Sequence, residues 1–230
     1  GSLLWAPVYC GYSVEHPNGL LYQYGRAKGQ TYYPASGSSS ICVNAPIQNP
    51  EDDKFYKGKS DWYSGTALTA WPMSKDDVGY VEGKIGNPCP EGWRLPTTAE
   101  LESLMTIGFV QSTYWGFSAN GTDAQNEAKK VETGFTLKDD SGLFFAAVGG
   151  RIATHSKPNL IGQSYYRGSG ADAYARMWAS DIKSGTAAGK ASGLSLRRSG
   201  TSSLANGFKS EIFALDKATG LSVRCVKNSE

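Results

Sequence analysis

The run CPEGWRLPTTAEL (residues 89–101) brings a cysteine, a tryptophan, two prolines and a helix start together in one short stretch. Thr97 followed three positions later by Glu100 predicts a capping box, in which the threonine hydroxyl and the glutamate carboxylate each satisfy a backbone N–H of the first turn. Leu101, Leu104 and Met105 then fall at i, i+3 and i+4, an apolar stripe that predicts a helix of about three turns docked on a sheet and ending near Gly108. Such density marks either a reactive site or a structural joint. The rest of the chain has to decide which.

Outward from this point the 230 residues read mainly as short strands and turns. Twenty-eight glycines, 12% aromatic and 19% charged residues describe that kind of chain rather than a helical bundle. LLWAPVYCGY and LLYQYGR predict strands joined at HPNG, and FTLKDD and GLFFAAVGGRI predict two more with a turn around Ser141 and Gly142. Near the end, GLSVRCVKN alternates Leu221, Val223 and Cys225 against Ser222 and Arg224, the pattern of a half-buried strand. Trp62 and Trp71 are expected to plug the core beneath a long loop rather than to serve as exposed sugar platforms. No repeat of fixed period and no clean linker divides the chain, so residues 1–230 are expected to form a single domain, with residues 1–2 a possible cloning remnant.

Charge excludes some functions. The 23 basic and 21 acidic residues leave a formal charge of +2 and are dispersed, unlike the basic face of a nucleic-acid-binding protein. No apolar run approaches the roughly 20 residues that span a bilayer. Cys10, Cys42, Cys89 and Cys225 contain no Cys-x-x-Cys pair, so neither zinc nor thioredoxin-like chemistry has local support. They allow three pairings; Cys10–Cys42 with Cys89–Cys225 is the expected one and implies an oxidising compartment, against the alternative of four buried thiols in the cytosol.

Candidate chemistry is sparse. His16 and His155 read as loop residues, and Glu51–Asp53, Asp76–Asp77 and Asp139–Asp140 lack the interleaved spacing of a calcium loop. GRAKGQT and GKASGLS do not complete a phosphate-binding loop. No cofactor and no metal are expected.

The blocks LLWAPVYCGY, GLLYQYGRAKGQ, NPCPEGWRLPTTAELESL, LFFAAVGGR, MWASD and GLSVRCVKN, in this order, resemble the Fibrobacter succinogenes major paralogous domain family, surface-associated modules of Gram-negative bacteria. MWASD stands where that family more often has Tyr-Trp-Ser-Ser. The resemblance implies an α+β, C-type-lectin-like fold: short twisted antiparallel sheets with one or two helices and long irregular loops. It also implies a bond from a cysteine at the first helix to one on the last strand, which matches Cys89 and Cys225 and makes CPEGWRLPTTAEL the structural joint. A distant similarity to formylglycine-generating enzymes raises an oxidase, disfavoured because all four cysteines are assigned to bridges. Lys157-Pro158-Asn159 places a lysine where C-type lectins hold a calcium ligand, which disfavours sugar binding through calcium. The expected function is therefore noncatalytic: an exported cell-surface or outer-membrane module, fimbria-associated or lipoprotein, that binds a glycan or a surface protein. A structural pilus or envelope scaffold is the alternative. The expected ligand-binding residues are Trp115, Tyr165, Tyr166, Arg167 and Arg197, within long loops from about 110 to 210, while Trp178 is expected in the core.

Overall fold

The computed structural model describes residues 3–31, 41–111, 134–154, 164–165, 174–198 and 208–228. Twelve short strands and one helix are the regular elements among the described residues. β1 (Cys42–Asn44) and β2 (Phe55–Lys57) form a parallel pair. β3 (Trp93–Arg94) precedes α1 (Thr98–Ile107), and β4 (Phe109–Gln111), β5 (Gly134–Leu137) and β6 (Phe144–Ala146) follow as an antiparallel sheet in that order. β7 (Gly150–Arg151) pairs with β8 (Ser164–Tyr165). β9 (Tyr174–Trp178), β10 (Lys190–Arg198) and β11 (Phe208–Asp216) form the largest sheet, antiparallel with β10 in the middle. β12 (Val226–Lys227) closes against β3. The architecture is α+β, built from small and mostly antiparallel sheets around one short helix.

The expected joint forms. Cys89 and Cys225 are disulfide-bonded across 136 residues of chain, a closure that removes roughly 5 kcal/mol of unfolded-chain entropy in the loop model. Beyond it, Trp93 and Arg94 pair with Lys227 and Val226, and Leu95 is fully buried. Thr97 caps α1 with its hydroxyl on the Glu100 N–H, and Glu100 accepts from the Thr97 N–H at 2.8 Å. Arg94 grips the same carboxylate with both terminal nitrogens, at 2.8 and 2.6 Å. Asp181, the last residue of MWASD, adds a contact from far along the chain, accepting from the Thr98 N–H and hydroxyl, both at 2.6 Å. Two carboxylates therefore sit at the positive end of the helix dipole. Leu101 and Leu104 bury the predicted stripe, and Gly108 ends the helix by donating to the Leu104 carbonyl.

Two expected strands are not strands. Residues 3–12 and 20–26 make only isolated bridges, Trp5 to Val226, Leu21 to Gln30, Tyr22 to Leu221 and Arg26 to Ile85. Their backbones turn too often to pair continuously. Gly25 has φ +90°, and a Cβ there would lie 2.3 Å from Leu68 Cδ1, so the bend needs glycine. GLFFAAVGGRI likewise divides into β6 and β7. The last stretch also differs from the half-buried strand expected of it. Residues 217–226 are buried throughout, Ser222 and Arg224 included, because chain covers both sides of the run.

The core has two contiguous parts. One packs Leu101 and Leu104 of α1 against Phe135, Phe145, Met177, Leu194 and Leu196. The other gathers Tyr22, Tyr24, Phe55, Tyr56, Trp62, Trp71 and Trp178. Trp62, Trp71 and Trp178 donate their indole N–H groups to the carbonyls of Tyr24, Gly86 and Tyr22, each at 2.8 Å. All three are plugs, as the sequence suggests, with the polar edge satisfied.

The joint is testable through its acid limb. Arg94 holds the Glu100 carboxyl below the usual glutamate range, so this group contributes stability in full above its unfolded pKa and loses it as pH falls through the lower folded value. Urea unfolding is expected to show Thr97→Ala less stable by about 1 kcal/mol, and Glu100→Gln less stable at pH 7 but with a flatter decline below pH 4.5 than the parent.

Candidate functional site

Arg26, Arg151 and Arg224 are among the largest fully buried side chains, and each comes from a block that the sequence marks: YGR, GGR and VRC. Main-chain carbonyls and aromatic rings are prominent among their described contacts. Arg26 donates to the carbonyls of Lys54 and Glu51, lies 5.3 Å from the Tyr56 ring centre and 5.6 Å from that of Trp62. Arg151 donates to the Thr31 carbonyl at 3.1 Å and lies over Phe55. Arg224 donates from Nε to the Ala6 carbonyl at 2.6 Å and from Nη2 to the Pro7 carbonyl at 2.8 Å, between the rings of Tyr9 and Phe145. Burial lowers Arg26 and Arg224 to about 10, which leaves both charged at neutral pH. Carbonyls and aromatic faces replace water around these cations. The carbonyls of Glu51 and Lys54 thus anchor the acidic 51–53 turn, whose side chains are exposed.

The expected Cys10–Cys42 disulfide is absent; both residues are thiols. Cys10 Sγ donates to the Pro88 carbonyl at 3.0 Å and accepts from the Tyr22 hydroxyl at 3.2 Å. Cys42 lies on β1, inside the aromatic part of the core and hydrogen-bonded by the Arg151 side chain. Each sulfur is held by a different neighbour. Burial pushes both thiols up from their ordinary pKa, so the thiolate, the nucleophilic form, is disfavoured at both.

Other candidates resolve as local structure. His16 bonds back to Ser13 in its turn, Asp77 accepts from the N–H groups of Met73 and Ser74, and Asp139 from that of Ser141. Among the described residues no group of three His, Cys, Asp or Glu side chains is placed to share a metal. No described helix is long and apolar enough to cross a membrane. His155 and Lys157-Pro158-Asn159 lie outside the described residues.

Of the five expected binding residues, Trp115, Tyr166 and Arg167 also lie outside them. Tyr165 is placed by its backbone, opposite Gly150, and Arg197 lies on β10 with its Nε 3.4 Å from Glu211. The described stems of the segments carrying these residues converge. Gly134 pairs with Ala146, and Gly149, three residues on, donates to the Tyr174 carbonyl. Tyr174 pairs with Arg197, and Arg198 with Phe208. The chain thus leaves and re-enters around 112–133, 166–173 and 199–207 at one end of the β9–β11 sheet.

The sheet at that end carries a surface that sequence reasoning largely missed. Register places Tyr174, Arg197 and Lys209 side by side, then Arg176, Ser195 and Glu211, then Trp178, Gly193 and Phe213, all on one face. Arg176 lies 4.3 Å from the Tyr174 ring centre and 5.5 Å from that of Phe213, with its Nε on Ser195 Oγ at 3.3 Å. Lys209 reaches Glu211 at 2.6 Å. Gly193 permits this packing, since a Cβ there would meet the Met177 carbonyl oxygen at 2.2 Å. The signal was the period-two run Tyr174-x-Arg176-x-Trp178, which places all three on one side of a strand. A separate apolar groove of about 1310 Å³ lies beside α1, lined in part by Leu4, Trp5, Leu104, Ile107, Leu143 and Phe144.

With this geometry in hand, the family comparison is direct. The model of the Fibrobacter succinogenes major domain matches residues 18–227, nearly the whole chain, and the protein belongs to that family. No curated protein and no solved structure matches it.

Arg224 offers a sharp test of the buried frame. Arg224→Met is expected to cost roughly 2–4 kcal/mol in chemical unfolding, because the carbonyls of Ala6 and Pro7 lose their charged donor, whereas Lys209→Met on the surface is expected to stay within about 0.5 kcal/mol of the parent.

Proposed function

We propose that this chain is a noncatalytic module of the bacterial cell surface, a single C-type-lectin-like domain that binds a ligand, with glycan as the leading class. The observation that carries the reading is the convergence of three segment stems on one end of the β9–β11 sheet, next to Tyr165 and Arg197. A rigid frame that gathers long connections at one end is the usual arrangement of a recognition surface. The Cys89–Cys225 disulfide is compatible with an exported protein, and export to the cell surface or outer membrane completes the proposal. An oxidase role is disfavoured by the raised pKa of both thiols.

A second reading, a pilus-associated or envelope scaffold with a protein partner, is favoured by one feature. β11, Phe208–Asp216, is nine residues long and lies at the edge of its sheet, and such an edge can accept a strand from another protein. The two readings separate on a glycan array with purified protein. Reproducible binding to one sugar class, weakened at least about tenfold by Tyr165→Ala, is the expected result. No bound sugar, together with fimbriae or outer membrane altered by deletion of the gene, would favour the scaffold.

A further inference from the structure

We propose a second binding pocket, one that shares no residue with the β9–β11 sheet, for a single sugar ring bearing one carboxylate. It lies where the bend at Ala27 and Lys28 meets the loop from Met73 to Gly86, and it holds about 440 Å³. That volume sits near the lower end of the range of small-molecule sites and suits a small ligand. Lys28, Lys75 and Tyr80 line it, above an apolar floor that includes Met73, Ile85 and Pro88. The inference goes beyond the ligand surface proposed above and does not depend on it.

The walls are held by the protein's own bonds. Ala27 donates its N–H to the Lys84 carbonyl at 3.0 Å, and the Lys28 carbonyl accepts from the buried Gln30 side chain at 2.7 Å. In the facing loop, Asp77 accepts from the N–H groups of Met73 and Ser74, and the Tyr80 N–H donates to the Asp77 carbonyl at 3.1 Å. Val81 and Ile85 exchange both of their backbone hydrogen bonds. The Tyr80 ring lies against Gly86, where a Cβ would meet its Cε2 at 2.9 Å, and the Gly86 carbonyl is held by the Trp71 indole. A backbone fixed in this way has little freedom left to lose on binding.

Three polar groups remain for a ligand. Among the described residues, neither the Lys28 nor the Lys75 ammonium has a hydrogen-bond or ion-pair partner, and the Tyr80 hydroxyl makes no hydrogen bond. The acidic side chains of the loop lie elsewhere. Asp77 is turned onto the backbone it caps, Asp76 and Glu82 are exposed and outside the lining, and Lys84, also outside it, pairs with Asp52 at 3.1 Å. The lining therefore presents two cations and no carboxylate, which selects an anion. Asp76, Asp77 and Glu82 on the same loop disfavour a doubly charged phosphate and suit a single carboxylate. The Tyr80 hydroxyl both donates and accepts, as a ring hydroxyl requires, and the apolar floor suits the face of a sugar.

Methyl glucuronide, methyl glucoside and acetate separate the parts of the inference: the ring with the charge, the ring without it, and the charge without the ring. In NMR titrations of the purified protein, the glucuronide is expected to shift the backbone amides of Lys28, Lys75 and Tyr80. It is expected to bind at least about tenfold more tightly than either of the others, the size of one charge-assisted contact. Lys28→Gln and Lys75→Gln, both on exposed residues, are each expected to weaken it severalfold at an unchanged melting temperature. Tyr80→Phe, which removes the hydroxyl alone, is expected to weaken it as well. Tyr165→Ala, the variant that tests the sheet end, is expected to leave it unchanged, so the two sites stand or fall separately. Glucoside or acetate binding as tightly as the glucuronide, or shifts absent from these three amides, would overturn the inference. Glucose 6-phosphate binding more tightly than the glucuronide would also overturn it, in favour of a phosphate site.

Discussion

Residues 217–226 run through the interior of this protein, and the chain around them is arranged by what their backbone binds. Tyr22 and Leu221 exchange both of their backbone hydrogen bonds, as do Arg151 and Gly220. Trp178 donates to Ser222, Cys10 to Val223, Ala6 to Cys225, and Ala218 to Ser60. Segments from near the N-terminus, from the middle and from the largest sheet therefore all satisfy their polar groups on one strip of ten residues. Buried backbone groups left unpaired are costly, so the strip has to be in place for these segments to pack. The disulfide from Cys225 to Cys89 fixes one end of it to the capped helix.

The side chains of the strip extend the same logic. Arg224 reaches the carbonyls of Ala6 and Pro7, and Lys217 donates to the Leu68 carbonyl at 2.7 Å. Gln23, facing the strip, donates to the carbonyls of Ala218 and Tyr56, both at 2.6 Å. These polar groups do for irregular chain what a continuous sheet ladder does for a regular one. They also explain how a protein of short strands keeps a dense aromatic core: the backbone that a ladder would have satisfied is met by arginine, glutamine and indole donors instead.

What was legible in the sequence was what is local. The capping box, the apolar stripe of α1, its end at Gly108 and the turn at Ser141 and Gly142 all depend on residues within four positions of one another. The buried character of Trp62, Trp71 and Trp178 followed from size and apolarity. Non-local pairings were less readable. Asp181 at the start of α1 acts from 83 residues away, and Arg224 has the look of a solvent-facing position in an alternating strand, because nothing in its neighbours announces the carbonyls of Ala6 and Pro7. Cys10 and Cys42 failed as a pair for the same reason, each being held by a neighbour that its own surroundings in sequence do not reveal. On the polar face of the β9–β11 sheet, Tyr174, Arg176, Arg197 and Lys209 become neighbours only through the register of three strands.

The central claim, that one covalent tie fixes the interior strip to the helix start, is tested most directly by mass spectrometry of peptides from the nonreduced protein, alkylated on unfolding. The account predicts one cross-linked pair, containing Cys89 and Cys225, with Cys10 and Cys42 each recovered as alkylated thiols. Recovery of Cys89 or Cys225 in alkylated form, or of either joined to another cysteine, would contradict it.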